Sequence, residues 1–437
     1  MTISEDTPTF NLKAVVKETG IKPDTLRAWE RRYGLPEPDR TGGGHRIYSQ
    51  RDIDTLKWLL DRQEEGLSIS RAVDLWNSLL QEGNDPLLTA PYVHTEAALP
   101  IEPGKALQDL RQAWVQACMA FDERSAETIL NQAFAVYPPE AVTQHVIQLG
   151  LAEIGQGWYR GQITVQQEHF ATELAMRRLE AQVAAAPPPS RPGRILVVCP
   201  PGEDHSFPAL LITFLLRRTG WDVIYLGANV PMSQLDATIE STRPKLVILS
   251  AQSLVTAAAL AEMARRLSED KIMVAYGGGV FVRIPDLKKH IPGHYLSDDI
   301  SAIHGQVEAV LSASPSPHAP QPTSQEMLDL YTRFQGKRAS IGIAILEDSG
   351  LSNIRPDHLD IANRQLSHNI AAALLLGDLN YLQEDLTWVQ GLISNLSLPT
   401  QILSLYVEHY AQAVKLALGD AGQPISQALE RIEFESA

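Results

Sequence analysis

Cysteine is nearly absent from this 437-residue chain: Cys118 and Cys199 are its only two. Both lie in apolar contexts, which excludes a disulfide framework and fits a reducing, cytoplasmic location. No apolar run approaches the length of a membrane span, and the N-terminus carries no apolar signal segment, so neither a membrane nor an export role is expected. Positive charge is also scarce. The formal net charge of −15 argues against nucleic acid as a partner of the average surface. Hydrophobic content of 44% and charged content of 20% are ordinary for a globular protein. The length allows two to four domains, each with its own core.

What is present is unevenly spread. Asn84 to Gly104 contains Pro86, Pro91, Pro100 and Pro103 and reads as irregular. Pro187 to Pro192 is a second proline-rich joint, and Ser312 to Thr323 a third, polar and stiffened by proline. These joints leave four blocks: 1–83, 105–186, 193–311 and 324–437.

The first block reverses the overall charge. Between Phe10 and Arg51 stand nine Lys or Arg against five Asp or Glu. Leu12 to Thr19 reads as a short helix, Gly20 to Lys22 as a turn, and Pro23 to Tyr33 as a second helix with proline in its first turn. That is helix-turn-helix punctuation. The second helix carries Thr25, Arg27, Trp29, Arg31, Arg32 and Tyr33, residue types suited to phosphates and base edges. Gly42 to Tyr48 reads as a hairpin wing with cationic and aromatic members, followed by a helix over Ser49 to Asp61. The stretches Leu-Arg-Ala-Trp-Glu-Arg-Arg-Tyr-Gly-Leu and Arg-Thr-Gly-Gly-Gly-His-Arg-Ile-Tyr resemble the winged-helix head of MerR-type regulators over about residues 8–78. The resemblance implies a double-stranded DNA operator as partner and Arg27, Arg31, Arg32, Tyr33, Arg46 and Tyr48 as DNA contacts. Such regulators usually dimerise through a long helix after the head. Here Ile69–Leu80 is the last periodic stretch before the joint, so dimerisation is expected from the ligand-binding part.

In the third block, apolar runs at Ile195–Cys199, Asp222–Leu226, Leu246–Leu249 and Ile272–Tyr276 alternate with helical stretches, the pattern of a doubly wound parallel sheet. Gly202-Glu-Asp-His205 follows the first run, where open α/β sheets bind ligands. The His205 imidazole can offer a lone pair to a metal, and Glu203 is close enough in sequence to orient it. Ser250 ends a later run, and Gly277, Gly278 and Gly279 follow another. Small residues there suit a long nucleotide tail laid along the sheet. Glu-x-His, Ser and Gly-Gly at these separations resemble the cobalamin-binding domain that holds its cofactor base-off. The resemblance implies His205 on cobalt, with Glu203, Ser250, Gly277 and Gly278 around the cofactor. Pro208 stands where that family usually has glycine, and Gln252 where an apolar residue is common.

The second block has helical periodicity throughout, including Leu107, Leu110, Trp114 and Met119 on one stripe, and reads as a four-helix bundle. Trp158, nine intervening residues and Glu168-His169 match the motif of CarH-type photoreceptors. The resemblance implies a bundle that caps adenosylcobalamin, with Trp158, Glu168 and His169 near the upper face. It implies a light-responsive repressor, not an enzyme, that changes its homo-oligomeric state (dimer or tetramer) when light cleaves the cobalt–carbon bond. Tyr159 occupies the position where the family commonly places a histidine, so a light response that is reversible, altered or lost is expected.

The expected fold is therefore a winged helix-turn-helix head, a four-helix bundle cap, a Rossmann-like parallel α/β cobalamin domain and a C-terminal all-α domain. The last block, 324–437, reads as a helical bundle of its own, serving dimerisation or signalling. A second sensor pocket lined by His368, Tyr381, Trp388 and His409 is the other reading. Two alternatives to the whole assignment stay open: a cobalamin-independent regulator sensing a partner or another tetrapyrrole, and a corrinoid carrier of methyl transfer. The DNA-reading head weighs against the carrier.

Overall fold

The computed structural model describes residues 8–40, 42, 44–64, 67–81, 86–87, 103–297, 299–313, 320–352, 354–386, 389 and 400–434. The chain forms two compact units, 1–100 and 101–437, each taken here by itself.

In the first unit, Asn11 caps helix α1 (Leu12–Thr19) by accepting the Ala14 amide at 3.0 Å, and Gly20 ends it at φ +69°. Helix α2 (Pro23–Tyr33) starts on its proline and ends on Gly34 at φ +70°. A left-handed residue at each helix end favours glycine, which fixes both turns. Strands β1 (Phe10–Asn11), β2 (Asp39–Arg40) and β3 (Arg46–Tyr48) form a small antiparallel sheet with β3 in the middle. Helices α3 (Gln50–Glu64) and α4 (Ile69–Gln81) complete the unit. Its core holds Val15, Leu26, Trp29, Tyr48, Leu56, Trp58 and Trp76.

The second unit begins with the helical bundle. Its members are α5 (Pro103–Met119), α6 (Glu123–Val136), α7 (Pro139–Val142), a π-helical turn over Thr143–Gln148, α8 (Leu149–Tyr159) and α9 (Val165–Ala184). The first helix thus starts inside the stretch read as irregular. Trp114 is fully buried, and a Cβ on Gly150 would sit 2.8 Å from its ring. Glycine at 150 is therefore a packing requirement.

A five-stranded parallel sheet follows: β4 (Arg194–Val198), β5 (Asp222–Tyr225), β6 (Leu246–Ser250), β7 (Val274–Gly277) and β8 (His294–Tyr295), in the order β5-β4-β6-β7-β8. The intervening helices are α10 (Phe207–Arg218), α11 (Leu235–Thr242), α12 (Leu254–Glu269) and α13 (Val280–Arg283), with α14 (Ile303–Ala313) last. Strand alternation divides the two faces: Ile195 and Val197 pack with α10, α14 and Leu179 of α9, whereas Leu196 and Val198 pack with α12. Cys118 and Cys199 are both buried free thiols.

The C-terminal helices are α15 (Gln325–Leu346), α16 (Pro356–Leu375), a helical stretch over 381–386, α17 (Thr400–Leu418) and α18 (Gln423–Glu430). They pack on one another and, through α16, on α12 of the sheet domain. One apolar cluster runs from Leu196 and Val247 of the sheet through Leu260 of α12 to Ile370 and Tyr410 of the C-terminal helices. Helix α12 has a wide apolar face beside an exposed stripe of Glu262, Arg265, Arg266 and Glu269, and that face packs both on the sheet and on α16. No helix among the described residues is long and apolar enough to cross a membrane.

Candidate cofactor site and nucleic-acid interface

Strands β4 and β6 are neighbours, but the chain leaves β4 toward β5 on one side and later returns to β6 on the other. Such a switch point opens a crevice beyond the strand ends. Glu203 and His205 lie in the loop after β4; Gln252 lies just after β6. His205 Nδ1 is 2.8 Å from Glu203 Oε1, which also accepts the His205 amide at 2.9 Å. Glu203 Oε2 accepts from the Gln252 amide at 2.6 Å and from Thr256 Oγ1 at 2.7 Å. One carboxylate thus staples both loops across the switch point.

The pair is asymmetric in exposure. Glu203 is fully buried, whereas the His205 side chain is 76% exposed. Burial opposes ionisation of Glu203, yet the hydrogen bonds from His205, Thr256 and Gln252 hold its carboxyl below its ordinary value. The Glu203 hydrogen bond raises the His205 pKa against the desolvation that lowers it. A carboxylate on Nδ1 fixes the tautomer with the lone pair on Nε2, the nitrogen a metal needs. Glu168 of the bundle also adds to the raised His205 pKa, so it stands within electrostatic reach of the ring. Phe207, two residues beyond His205, packs against both the bundle core and the sheet core.

The remaining predicted cofactor residues are partly gathered. Ser250 and Gly277 are side by side in the β6–β7 register. Gly278 has φ +122°, and a Cβ there would fall 2.0 Å from the Ala251 carbonyl oxygen. Only glycine fits. Trp158 is half-buried at the end of α8. A Cβ on Gly157 would lie 2.4 Å from Ile163, so glycine lets the following turn fold back. That turn feeds a capping box, Thr164 with Gln167, which sets Glu168 in the first turn of α9. Glu168 accepts from Thr172 Oγ1 at 2.8 Å and faces His169 Nδ1 at 2.9 Å. His169 is largely exposed. Pro208 falls in the first turn of α10, where no amide is needed, so this departure is absorbed without loss of a helix bond.

Sequence reasoning missed two members of this site. Thr256 reaches Glu203 from the first turn of α12, and Asn229, at φ +50°, accepts the Gly202 amide at 2.8 Å. A glycine, a buried acid and a histidine whose loop is held from two other loops fit a cobalamin whose metal takes Nε2. No group of three metal-ligating side chains occurs among the described residues.

In the head, Arg27, Arg31, Arg40 and Arg46 line one groove together with Glu30 and Gly34. Arg40 escaped the sequence reading; it lies on the strand that enters the wing. Arg27 and Arg46 also border a second hollow with Lys13 and His45. Arg32 lies off the main groove, its guanidinium carbon 5.3 Å from the Tyr33 ring centroid. Two aromatic expectations are corrected. Tyr48 is fully buried and donates its hydroxyl to Glu30 Oε1 at 2.6 Å, so it is a core residue and not a DNA contact. Trp29 is buried in the same core. Arg46 Nε donates to Glu30 Oε2 at 2.7 Å and remains one-third exposed.

Head, bundle and sheet define a helix-turn-helix regulator joined to a B12-binding module. Residues 10–79 match the MerR HTH family of regulatory proteins, and residues 110–181 and 193–297 each match a B12 binding domain. The HTH-type transcriptional repressor CarH of Myxococcus xanthus is 32% identical over 242 residues, 55% of this chain and 78% of that protein. CarA of the same organism is 32% identical over 245 residues, 55% of this chain and 76% of its own length. Among solved structures, the monomethylamine corrinoid protein of Methanosarcina barkeri covers 47% of this chain and 99% of its own, with 18% identity and a TM-score of 0.39. The chain belongs to the CarH and CarA family of MerR-type regulators with B12-binding domains.

Proposed function

We propose that this regulator is a transcriptional repressor that binds adenosylcobalamin and responds to light through a change of oligomeric state. The observation that carries the reading is the Glu203–His205 pair: a buried carboxylate fixing an exposed imidazole at a sheet switch point, within reach of Glu168 from the bundle. When bound, adenosylcobalamin supplies a cobalt–carbon bond that light cleaves. His205 would hold the metal through Nε2, and Glu203, by accepting the hydrogen bond from Nδ1–H, would leave the lone pair of the neutral ring on that nitrogen. Ser250, Gly277 and Gly278 line the slot for the nucleotide tail. Trp158, Glu168 and His169 form the bundle's contribution, with Glu168 able to accept hydrogen bonds from ribose hydroxyls. In the head, Arg27, Arg31 and Arg46 grip phosphates or base edges of a double-stranded operator. Several heads on one assembly bind operator repeats more tightly than one head alone, so assembly state becomes the output.

The test is to add adenosylcobalamin to the apoprotein in darkness, record absorption and native mass, then illuminate and repeat. A nitrogen-ligated cobalamin spectrum, lost in His205→Ala, with a light-driven change of mass is the expected result. Uptake without any change of mass would remove the photoreceptor part. No uptake at all would leave a cobalamin-independent regulator.

A further inference from the structure

Gln252, on the loop after β6, has a side chain that touches neither the Glu203–His205 pair nor the DNA-reading head. All its polar groups are engaged. Its amide donates to Glu203 at 2.6 Å, and its carbonyl accepts from Arg283 Nη2 at 2.9 Å. Its side-chain Nε2 donates to Ser250 Oγ at 3.1 Å, while Oε1 accepts the Gly279 amide at 2.9 Å. The side chain therefore bridges the end of β6 and the glycine turn after β7. That strip is the one whose small residues suit a nucleotide tail. A Cβ on Gly279 would lie 3.0 Å from Gln252 Oε1, so the turn fits closely around the amide.

The far end of this bridge lies within electrostatic reach of the C-terminal helices. Arg283, which holds the Gln252 carbonyl, is within electrostatic reach of Asp385. Asp385 is buried and accepts from Asn369 of α16. Nearby, the His290 and Tyr381 rings meet edge to face with centroids 6.0 Å apart, and the Gln321 amide donates to the Lys289 carbonyl at 2.8 Å. Residues 283–290 thus rest on the C-terminal part.

We propose that Gln252 is a latch across the nucleotide-tail slot, and that the C-terminal helices set its closure through Arg283. The inference rests on the cobalamin reading above. A tail entering the slot must displace the amide from Ser250 and Gly279, whereas a corrinoid without a tail need not. The latch therefore discriminates against the tail and leaves ligation by His205 untouched.

The test compares cobalamin with cobinamide, the corrinoid lacking the nucleotide tail, on full-length wild type, Gln252→Ala and Arg283→Met. Dissociation constants are read by absorption titration in darkness. Two net hydrogen bonds removed correspond to cobalamin binding about tenfold tighter in Gln252→Ala, with cobinamide binding unchanged. Arg283→Met moves the same way by a smaller factor. Hydrogen exchange without any corrinoid supplies the second readout: the Gly279 amide exchanges faster in Gln252→Ala while β4 and β6 stay protected, which also verifies folding. Unchanged or weakened cobalamin binding in Gln252→Ala overturns the latch alone, weakening meaning that the amide holds the tail. Failure of all three proteins to bind either corrinoid overturns the cobalamin reading together with it.

Discussion

Arg46 and Tyr48 illustrate how far single residues could be read. Both carry the chemistry of a DNA contact, and both lie on a hairpin that the glycines at 42–44 announce. Their separation by two places them on the same side of β3. What the sequence does not display is that Glu30, 16 and 18 residues earlier, takes both side chains. Glu30 is only 8% exposed, so the trio ties the wing to α2 before any DNA arrives. Tyr48→Phe leaves one buried carboxylate oxygen without its donor. We expect the head to lose about 1–3 kcal/mol of stability by thermal or denaturant melting, with operator affinity unchanged at temperatures where the head stays folded. Arg31→Ala should do the converse. Stability stays the same, affinity falls at every sequence, and the slope of log affinity against log salt drops by about one. A Tyr48→Phe protein that is fully stable and binds DNA poorly would restore the tyrosine as a contact. The Glu203–His205 pair was far more legible, because its partners are two residues apart and the loop after a parallel strand has a known fate. Thr256 and Asn229 were not, since loops distant in sequence bring them there.

Elements with strong local patterns were legible almost to the residue. The four longer strands declare themselves as short apolar runs, and Gly20 and Gly34 mark where two helices stop. Strand β8 is two residues long, His294 and Tyr295, too short to leave a pattern. The C-terminal helices were legible as a helical block, but their shared core with the sheet domain was not. The sign of that shared core was α12, whose Leu254, Ala257, Leu260, Ala261 and Ala264 are all buried; an apolar face wider than the sheet alone covers needs a second layer on it. Burial there also traps a titrating group. Asp385 is pushed up to about 6 by burial, against the lowering influence of Arg283 and Asn369. A carboxyl whose folded pKa exceeds its unfolded value near 4 contributes stability that is fully present below pH 4. That stability is lost as pH rises through 6. Relative to Asp385→Asn, which keeps the shape without the charge, the wild type should therefore weaken between pH 4 and pH 7. The full effect is about 3 kcal/mol. Melting both proteins across that range checks the sign. Parallel curves would mean that the Arg283 charge already compensates the buried carboxylate. Of the residues of the alternative sensor pocket in this region, His409 pairs with Asp348 at 2.6 Å, Tyr381 packs against His290, and Trp388 lies outside the described residues.

At the scale of the molecule, the three blocks that match known families end at residue 297, yet the apolar core does not end there. Phe334, Ile370, Leu374, Tyr410 and Val414 belong to the same cluster as the sheet. The family fold thus carries added helices on a face that would otherwise meet water. Apolar area exposed at about 25 cal/mol per Å² is a strong penalty for such a face, and large exposed apolar patches drive association. A chain ending at Ala313 should for that reason fold its head and bundle but leave the outer side of α12 bare. The expected behaviour is self-association in sedimentation, binding of an apolar dye, and a lower melting temperature for the sheet. The full chain, compared without corrinoid, should bind less dye, melt higher and lack this concentration-driven association. A monodisperse truncated protein with an unchanged melting temperature would mean that the C-terminal helices add nothing to the core. They would then be a passenger, and the route from Asp385 through Arg283 to Gln252 would lose its physical basis.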